Sequence, residues 1–321
     1  MKARILITAT IATTFAGVLP AVDPNLLGLV MPDAKVLAGV NVVSARNSPF
    51  GQYVLAQMAP HNEELQKMAV LTGFDPRQDL IELLAASNGA PGAYSGLALA
   101  TGTFNTTAIL SAATAAGATT ETYNGVTIIE DPNPKGTPSG IAFIGSTIAA
   151  AGSLADVKAA IDRQSAHSTI DGELARQANS LSGSQDAWVV SIIGPPALGA
   201  VNTGGATGTN PAGALPTNAL KEIVSGSAGV KFGANIVVTA QAQADNAQDA
   251  STIAGMLQLV ANLAKMQADQ NPQAAELANA LTVSSSGTTV NATFTLPEEQ
   301  LQKLVSQPHA VRKAQRAIPK K

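Results

Sequence analysis

The spacing of apolar and polar residues changes period along the chain, and each change predicts an element. Short apolar runs at 36–44 (VLAGVNVVS) and 96–104 predict strands. Residues 230–243 (VKFGANIVVTAQAQ) alternate as a half-buried strand does. From 247 to 268 the apolar residues recur at helical spacing, which predicts a long helix.

Capping residues predict where the early helices begin. Ser48 precedes Pro49, as an N-cap precedes a first-turn proline. A second helix is expected after Pro60. Asp75 opens a capping pattern, which predicts a third helix with Ile81 and Leu84 facing inward.

Turn residues divide the rest of the chain. Asn124-Gly125 and Gly145 predict turns between strands. Ser153 and Asp156 form a capping box for a further helix. Residues 218–225 have the apolar spacing of a short helix.

The resulting order of elements predicts an α+β fold, in which antiparallel sheets carry helices packed on one face. A β-α-β-β order occurs twice, so we expect a possible pseudo-repeat with halves at 22–170 and 171–306. Two unrelated α+β layers are the alternative. The uncharged Gly/Pro-rich segment 194–217 predicts a flexible stretch, with a ligand lid as the alternative.

The first 21 residues have the pattern of an export signal. Lys2 and Arg4 precede an uncharged apolar run over 5–19, and Ala21 is a small residue suited to cleavage. An uncleaved membrane anchor is the alternative, although the run is short for a span. Both interpretations place the body of the protein outside the cytoplasm, in the periplasm or secreted.

Composition limits the chemistry that this protein can perform. Apolar residues make up 45% of the chain but aromatic residues only 3%, so the core consists of aliphatic side chains. There is no cysteine, which rules out disulfides, thiol chemistry and a lipid-modified cysteine.

Charge is distributed unevenly. Residues 22–311 contain 12 of the 19 basic residues and all 22 acidic ones. Such an acidic body argues against nucleic acid as a partner. The tail 307–321 contains five basic residues and two prolines, which predicts disorder. A solvated tail that aids solubility is the simpler interpretation, and a weak contact with an anionic surface is the alternative.

Several stretches resemble a family of exported bacterial proteins of unknown function. They are residues 24–58, GTFN at 102–105, YNGVTII at 123–129, 141–162 (IAFIGSTIAAAGSLADVKAAID) and 230–243. The resemblance covers most of the chain after the signal. It implies an extracytoplasmic α+β protein and supplies no activity or functional residue.

The three histidines are weak candidates for chemistry. His61 and Glu64 are spaced to share one helix face, but two ligands are too few for a tight metal site. His167 lies in a polar stretch and His309 in the tail. Solvated histidines are the simpler interpretation.

Other candidates also have simpler structural roles. Asp75 and Asp79 could form paired carboxylates, but a cap and a first-turn acid explain them. The glycine-rich residues 203–210 lack the ending of a phosphate loop. Asn105 and Asn291 fit a glycosylation pattern, as well as a helix cap and a strand residue. The sequence therefore assigns no catalytic, cofactor-binding or metal-binding residue.

These observations favour a non-enzymatic extracytoplasmic protein that binds a ligand or an envelope partner. A hydrolase whose site is assembled from scattered Asp, Ser and His residues is one alternative. A carrier of apolar ligands is another, and it needs an apolar cavity of several hundred cubic ångströms between sheet and helices.

Overall fold

A computed structural model describes residues 22–57, 62–89, 96–131, 137–166, 170, 172–194, 222–266 and 272–306. The predicted signal 1–21, residues 195–217 of the Gly/Pro-rich segment and the basic tail 307–321 lie outside this part of the chain.

The described elements follow one another in the order below. The first half contains α1 (Pro24–Leu29), β1 (Val36–Asn41), α2 (Val42–Asn47), α3 (Pro49–Gln57), α4 (Asn62–Thr72), α5 (Pro76–Asp79), β2 (Leu80–Ser87), β3 (Gly96–Gly102), α6 (Thr106–Ala115), β4 (Thr119–Tyr123), β5 (Val126–Glu130), β6 (Ser139–Ile144), β7 (Ile148–Ser153) and α7 (Leu154–Ala166). The second half contains α8 (Gly172–Ser182), β8 (Ala187–Ser191), β9 (Ile223–Lys231), β10 (Asn235–Ala244), α9 (Ala247–Met266), α10 (Pro272–Ala280), β11 (Leu281–Ser286), β12 (Thr289–Pro297) and α11 (Glu298–Ser306).

All twelve described strands belong to one sheet, in the order β11-β12-β10-β9-β8-β1-β2-β3-β7-β6-β5-β4. Every neighbouring pair is antiparallel. The α+β class predicted from the sequence is thus confirmed.

The two halves share a topology. In the first, α6 follows β3, and the chain returns through β4, β5 and β6 so that β7 pairs with β3. In the second, α9 and α10 follow β10, and the chain returns through β11 so that β12 pairs with β10. This is the predicted pseudo-repeat, with two additional strands in the first half.

Each part of the sheet buries one face, and the buried face differs between the two ends. We call the face carrying Leu84 and Leu99 the core face, where α1, α7 and α8 cover the principal core. We call the face carrying Leu83 and Ala100 the second face. At the β12 end, α9 packs on the second face through a smaller cluster that includes Ile253.

Several predicted boundaries are confirmed. The Ser48 hydroxyl accepts a hydrogen bond from the Gly51 N–H (3.0 Å) at the start of α3. The Ser153 hydroxyl likewise accepts from the Asp156 N–H (3.1 Å) at the start of α7. Asn124 and Gly125 both have positive φ, as the tight turn between β4 and β5 requires.

Other element predictions are wrong. The capping pattern at Asp75 opens only the four-residue α5, and Ile81 and Leu84 lie in β2. This segment is a strand because β1 and β3 pair with it on both sides, and tertiary pairing outweighs a local helix signal. Ile223 and Val224, expected in a short helix at 218–225, begin β9, where Ile223 pairs with Ala244 of β10.

Two further elements differ from the sequence prediction. The first strand ends at Asn41 rather than at residue 44, because the Asn41 side chain accepts from the Ser44 N–H (2.8 Å) and caps α2. The helix α8 was not predicted. No helix within the described residues is long and apolar enough to cross a membrane.

A close contact joins the two halves where β1 pairs with β8. Gly39 lies directly opposite Trp188, whose indole ring covers the Gly39 backbone on the core face. A Cβ atom at position 39 would overlap this ring. Trp188 is 5% exposed and belongs to the principal core.

A buried carboxylate reinforces this junction. The Asp186 side chain, 1% exposed, accepts from the Lys231 Nζ (2.8 Å), the Phe232 N–H (2.7 Å) and the Ser44 hydroxyl. Burial opposes ionisation of this carboxyl, but the three hydrogen bonds outweigh burial and lower the pKa of Asp186. Asp186 therefore ties β9 and α2 to the start of β8.

We expect Gly39→Ala to lower the free energy of unfolding by about 1–3 kcal/mol, because the added methyl must displace the Trp188 ring. Gly255→Ala is the matched control, since an added Cβ on this exposed face of α9 meets open space. The control should raise stability by about 0.5–1 kcal/mol. Urea unfolding measures the free energy of unfolding of both variants. Equal effects of the two substitutions would contradict the packing argument.

Asp186→Asn should lower the free energy of unfolding by about 2 kcal/mol at pH 7 through weaker hydrogen bonds. Because the folded pKa of Asp186 is lowered, its contribution is present above the unfolded pKa of about 3.9 and is lost as pH falls through the folded pKa. The difference between wild type and variant should therefore shrink below about pH 4. Asp245→Asn, at an exposed position, is the control. If the difference in the free energy of unfolding between wild type and Asp186→Asn stayed constant from pH 7 to pH 3, the role of the charge would be refuted.

Candidate functional site

A row of paired apolar residues crosses the second face. Val40 of β1 lies opposite Leu83, Leu83 opposite Ala100, Ala100 opposite Ala149, and Ala149 opposite Phe143. Directly paired residues share a face, so these five form a continuous strip, which we call the apolar row. Its four strand spacings correspond to a length of about 19 Å.

Small side chains make the middle of this strip shallow. Ala98 lies opposite Ala151 and Ala100 opposite Ala149, so four alanines meet between β3 and β7. Their short side chains leave space between the sheet and whatever covers it.

Helices α4 and α6 lie over this space and contact each other. Asn105 caps α6 by accepting a hydrogen bond from the Ala108 N–H (3.1 Å). Gly73 and Gly117, with φ of 66° and 90°, follow the ends of α4 and α6. Because these residues set where the helices begin and end, α4 and α6 are short and cover only part of the second face.

Three phenylalanines pack against one another, with tilted rings, on the second face below α4 and α6. Phe104 lies between Phe74 and Phe143, with ring centroids 5.3 Å apart in each pair. Their contacts fix the loop after β3 against β6.

The alanines, these rings and the two helices enclose a cavity of about 330 Å³, which we call the alanine cavity. Its wall is almost wholly apolar and includes Met68 of α4 and Ile109 of α6. Leu83 and Ile141 remain 39% and 43% exposed, so the cavity communicates with solvent. The volume falls within the range of small-molecule sites.

A second apolar cavity, of about 360 Å³, adjoins the first. We call it the arginine cavity, because Arg46 and Arg77 line it together with apolar residues. Its other lining residues are Val40, Val42, Ala45, Phe50, Gly51, Val54, Leu55, Pro76, Leu83 and Phe232. Leu83 lines both cavities, so they lie on either side of one side chain.

The two arginines differ in their partners. Arg77 forms an ion pair with Asp75 (2.7 Å); the hydrogen bond from Arg77 is the main cause that lowers the pKa of Asp75 and raises that of Arg77. Arg46 is half-buried, and its Nη1 donates to the carbonyls of Arg77 (2.7 Å) and Gln78 (2.9 Å). No carboxylate in the described chain forms an ion pair with Arg46.

The opposite face of the sheet has a cleft of different character. Polar residues of α8, β9, β10 and β12 line a space of about 420 Å³ on the core face. Some of these side chains bond to one another: the Thr289 hydroxyl donates to Gln243 (3.0 Å) and the Gln177 amide donates to Glu173 (2.6 Å). The cleft therefore presents a solvated polar surface.

The paired carboxylates considered from the sequence have structural roles. Asp75 caps α5 by accepting from the Arg77 N–H (3.0 Å). Asp79 accepts from the Asp75 N–H (2.6 Å). Asn105 caps α6, and Asn291 lies within β12.

His61, His167, His309 and the glycine-rich residues 203–210 lie outside the described residues. Within the described part of the chain, no three or more His, Cys, Asp or Glu residues form a group that could hold a metal ion.

The cavity residues were not identified as a site from the sequence. A signal was nevertheless present, because β2 (LIELLAAS) and β3 (GLALATG) place apolar residues on both faces. Strands with two apolar faces lie between two layers. The predicted fold had only one layer of helices over the sheet, so the second face was overlooked.

Comparison with known proteins gives the fold alone. No family model and no curated protein matches the chain, while five chains of known structure do. One is crystal form III of TP0453, with a TM-score of 0.51 and 12% identity over 89% of this chain and 98% of that one. Crystal forms IV and I of the same protein have TM-scores of 0.49 and 0.48 at 10% identity, over 88% and 90% of this chain and 96% and 98% of theirs. The chain thus shares the fold of TP0453.

Proposed function

We propose that this protein is a non-enzymatic carrier of apolar ligands, which it binds on the second face of its sheet. The alanine cavity carries the proposal, because it has the position and size that such a carrier needs.

The energetics of the cavity support binding of an apolar molecule. Leu83 and Ile141 expose part of their apolar surface to solvent in the cavity, and the rest of the cavity wall is also apolar. A bound hydrocarbon would remove this surface and its own from water, at about 25 cal/mol per Å². A polar ligand would lose hydrogen bonds to water that this wall cannot replace.

The lining residues favour binding over catalysis. Those described for the two cavities include neither histidine nor carboxylate, so a hydrolytic triad would lack its base and its acid there. The alternative hydrolase would depend on His61 or His167, which lie outside the described chain.

The export signal predicted at residues 1–21 supports a location outside the cytoplasm for this carrier. An envelope protein or membrane surface would then supply or accept its ligand. The basic tail 307–321 offers a weak contact with an anionic surface, and this role stays a prediction.

We expect Ala100→Phe to weaken binding of N-phenyl-1-naphthylamine, a neutral apolar dye that fluoresces in apolar surroundings, by about tenfold or more. The larger ring would occupy the alanine cavity. Ala155→Phe, on an exposed position of α7, is the matched control and should bind as wild type does. Fluorescence titration gives the affinities and thermal unfolding reports on the fold.

Ala100→Leu provides a milder second variant should the phenylalanine disturb the sheet. A folded Ala100→Phe protein with wild-type dye affinity, or a wild-type protein that binds no dye, would refute the proposed function.

A further inference from the structure

We propose that the ligand is an acyl-chain amphiphile with an anionic head, whose chain follows the apolar row and whose head pairs with Arg46. This inference rests on the proposed function and specifies its ligand class.

The first observation is an uncompensated charge beside an apolar wall. Arg46 lines the arginine cavity, is half-buried and has no carboxylate partner among the described residues. A half-buried cation without a counterion is costly unless something neutralises it. An anion at the cavity supplies that charge.

The guanidinium is also fixed in place. Arg46 donates from Nη1 to the carbonyls of Arg77 and Gln78, so its position is set by the backbone of α5, just before β2. Its remaining N–H groups have no bond partner in the described chain, and a planar fork of donors suits a carboxylate or a phosphate. Arg77 already pairs with Asp75 and needs no second anion.

The second observation is the continuity of the apolar surface from this charge. Val40 and Leu83 line the arginine cavity, and Leu83 also lines the alanine cavity. Val40, Leu83 and Ala100 are consecutive members of the apolar row. A molecule with its head at Arg46 therefore has an apolar path across three strands for its chain.

Together, the charge at one end and the apolar row leading from it match a single-chain amphiphile. A neutral hydrocarbon would fill the row and leave Arg46 uncompensated. A small free anion would pair with Arg46 and gain nothing from the row.

The test is competition against N-phenyl-1-naphthylamine by three twelve-carbon compounds at pH 8: laurate, dodecyl phosphate and dodecanol. The chain is constant and only the head changes. Wild type should bind at least one anionic compound about tenfold more tightly than dodecanol, since a hydrogen bond to a charged group is stronger than one to a neutral group. The two anionic arms decide between a carboxylate and a phosphate head.

Arg46→Gln should abolish this preference while leaving the affinity for dodecanol within about twofold. Arg46→Lys keeps the charge without the fork and should retain a reduced preference. Arg176→Gln, 73% exposed on α8, is the matched control and should behave as wild type does. Thermal unfolding of each variant shows whether the fold is intact.

The outcomes separate the two proposals. Equal displacement by all three compounds in wild type overturns the anionic head and leaves the apolar carrier standing. An unchanged preference in folded Arg46→Gln, or its complete loss in folded Arg46→Lys, overturns the role of the Arg46 charge. A wild-type protein that binds neither the dye nor any of the three compounds refutes both proposals.

Discussion

The pairing of β1 with β8 brings the Trp188 ring onto the bare backbone of Gly39, and the continuous sheet depends on this contact. Among the described strands, no other pair joins the two halves, so the seven strands on one side and the five on the other are hydrogen-bonded to each other only here. A side chain at position 39 would push the ring out of the core that both halves share. Gly39 is thus required by packing, although its φ is ordinary for any residue.

The core face is packed closely because large aliphatic residues of the sheet meet three helices. On the second face, β3 carries Ala98 and Ala100 where its core face carries Leu97 and Leu99, and both alanines lie opposite alanines of β7. The methyl groups of these alanines do not reach the side chains of α4 and α6. Larger side chains would be needed to fill the space between the sheet and the two helices. Protein interiors rarely leave such space empty, because a gap forfeits dispersion contacts on its lining. The cavity is therefore a property of the sequence, set by four small residues.

The fold class and many boundaries followed from local signals in the sequence, since caps at Ser48, Asn105 and Ser153 act within three residues. The strand β2 did not, because its conformation comes from partners far away in the chain, and a cap at Asp75 suggested a helix. The candidate site was harder still. Its residues are mostly alanines and leucines, which sequence reasoning assigns to a core, and only the register of five strands brings them together.

One short helix connects the junction of the halves to the candidate site. Asn41 ends β1 and caps α2, and Ser44 in its first turn bonds to Asp186 at the junction. Two residues later, Arg46 bonds to the carbonyls that precede β2. A six-residue helix has little stability of its own, so these contacts hold it in place. The same contacts order the Arg46 side chain before any anion arrives, which reduces the entropy that binding would otherwise cost.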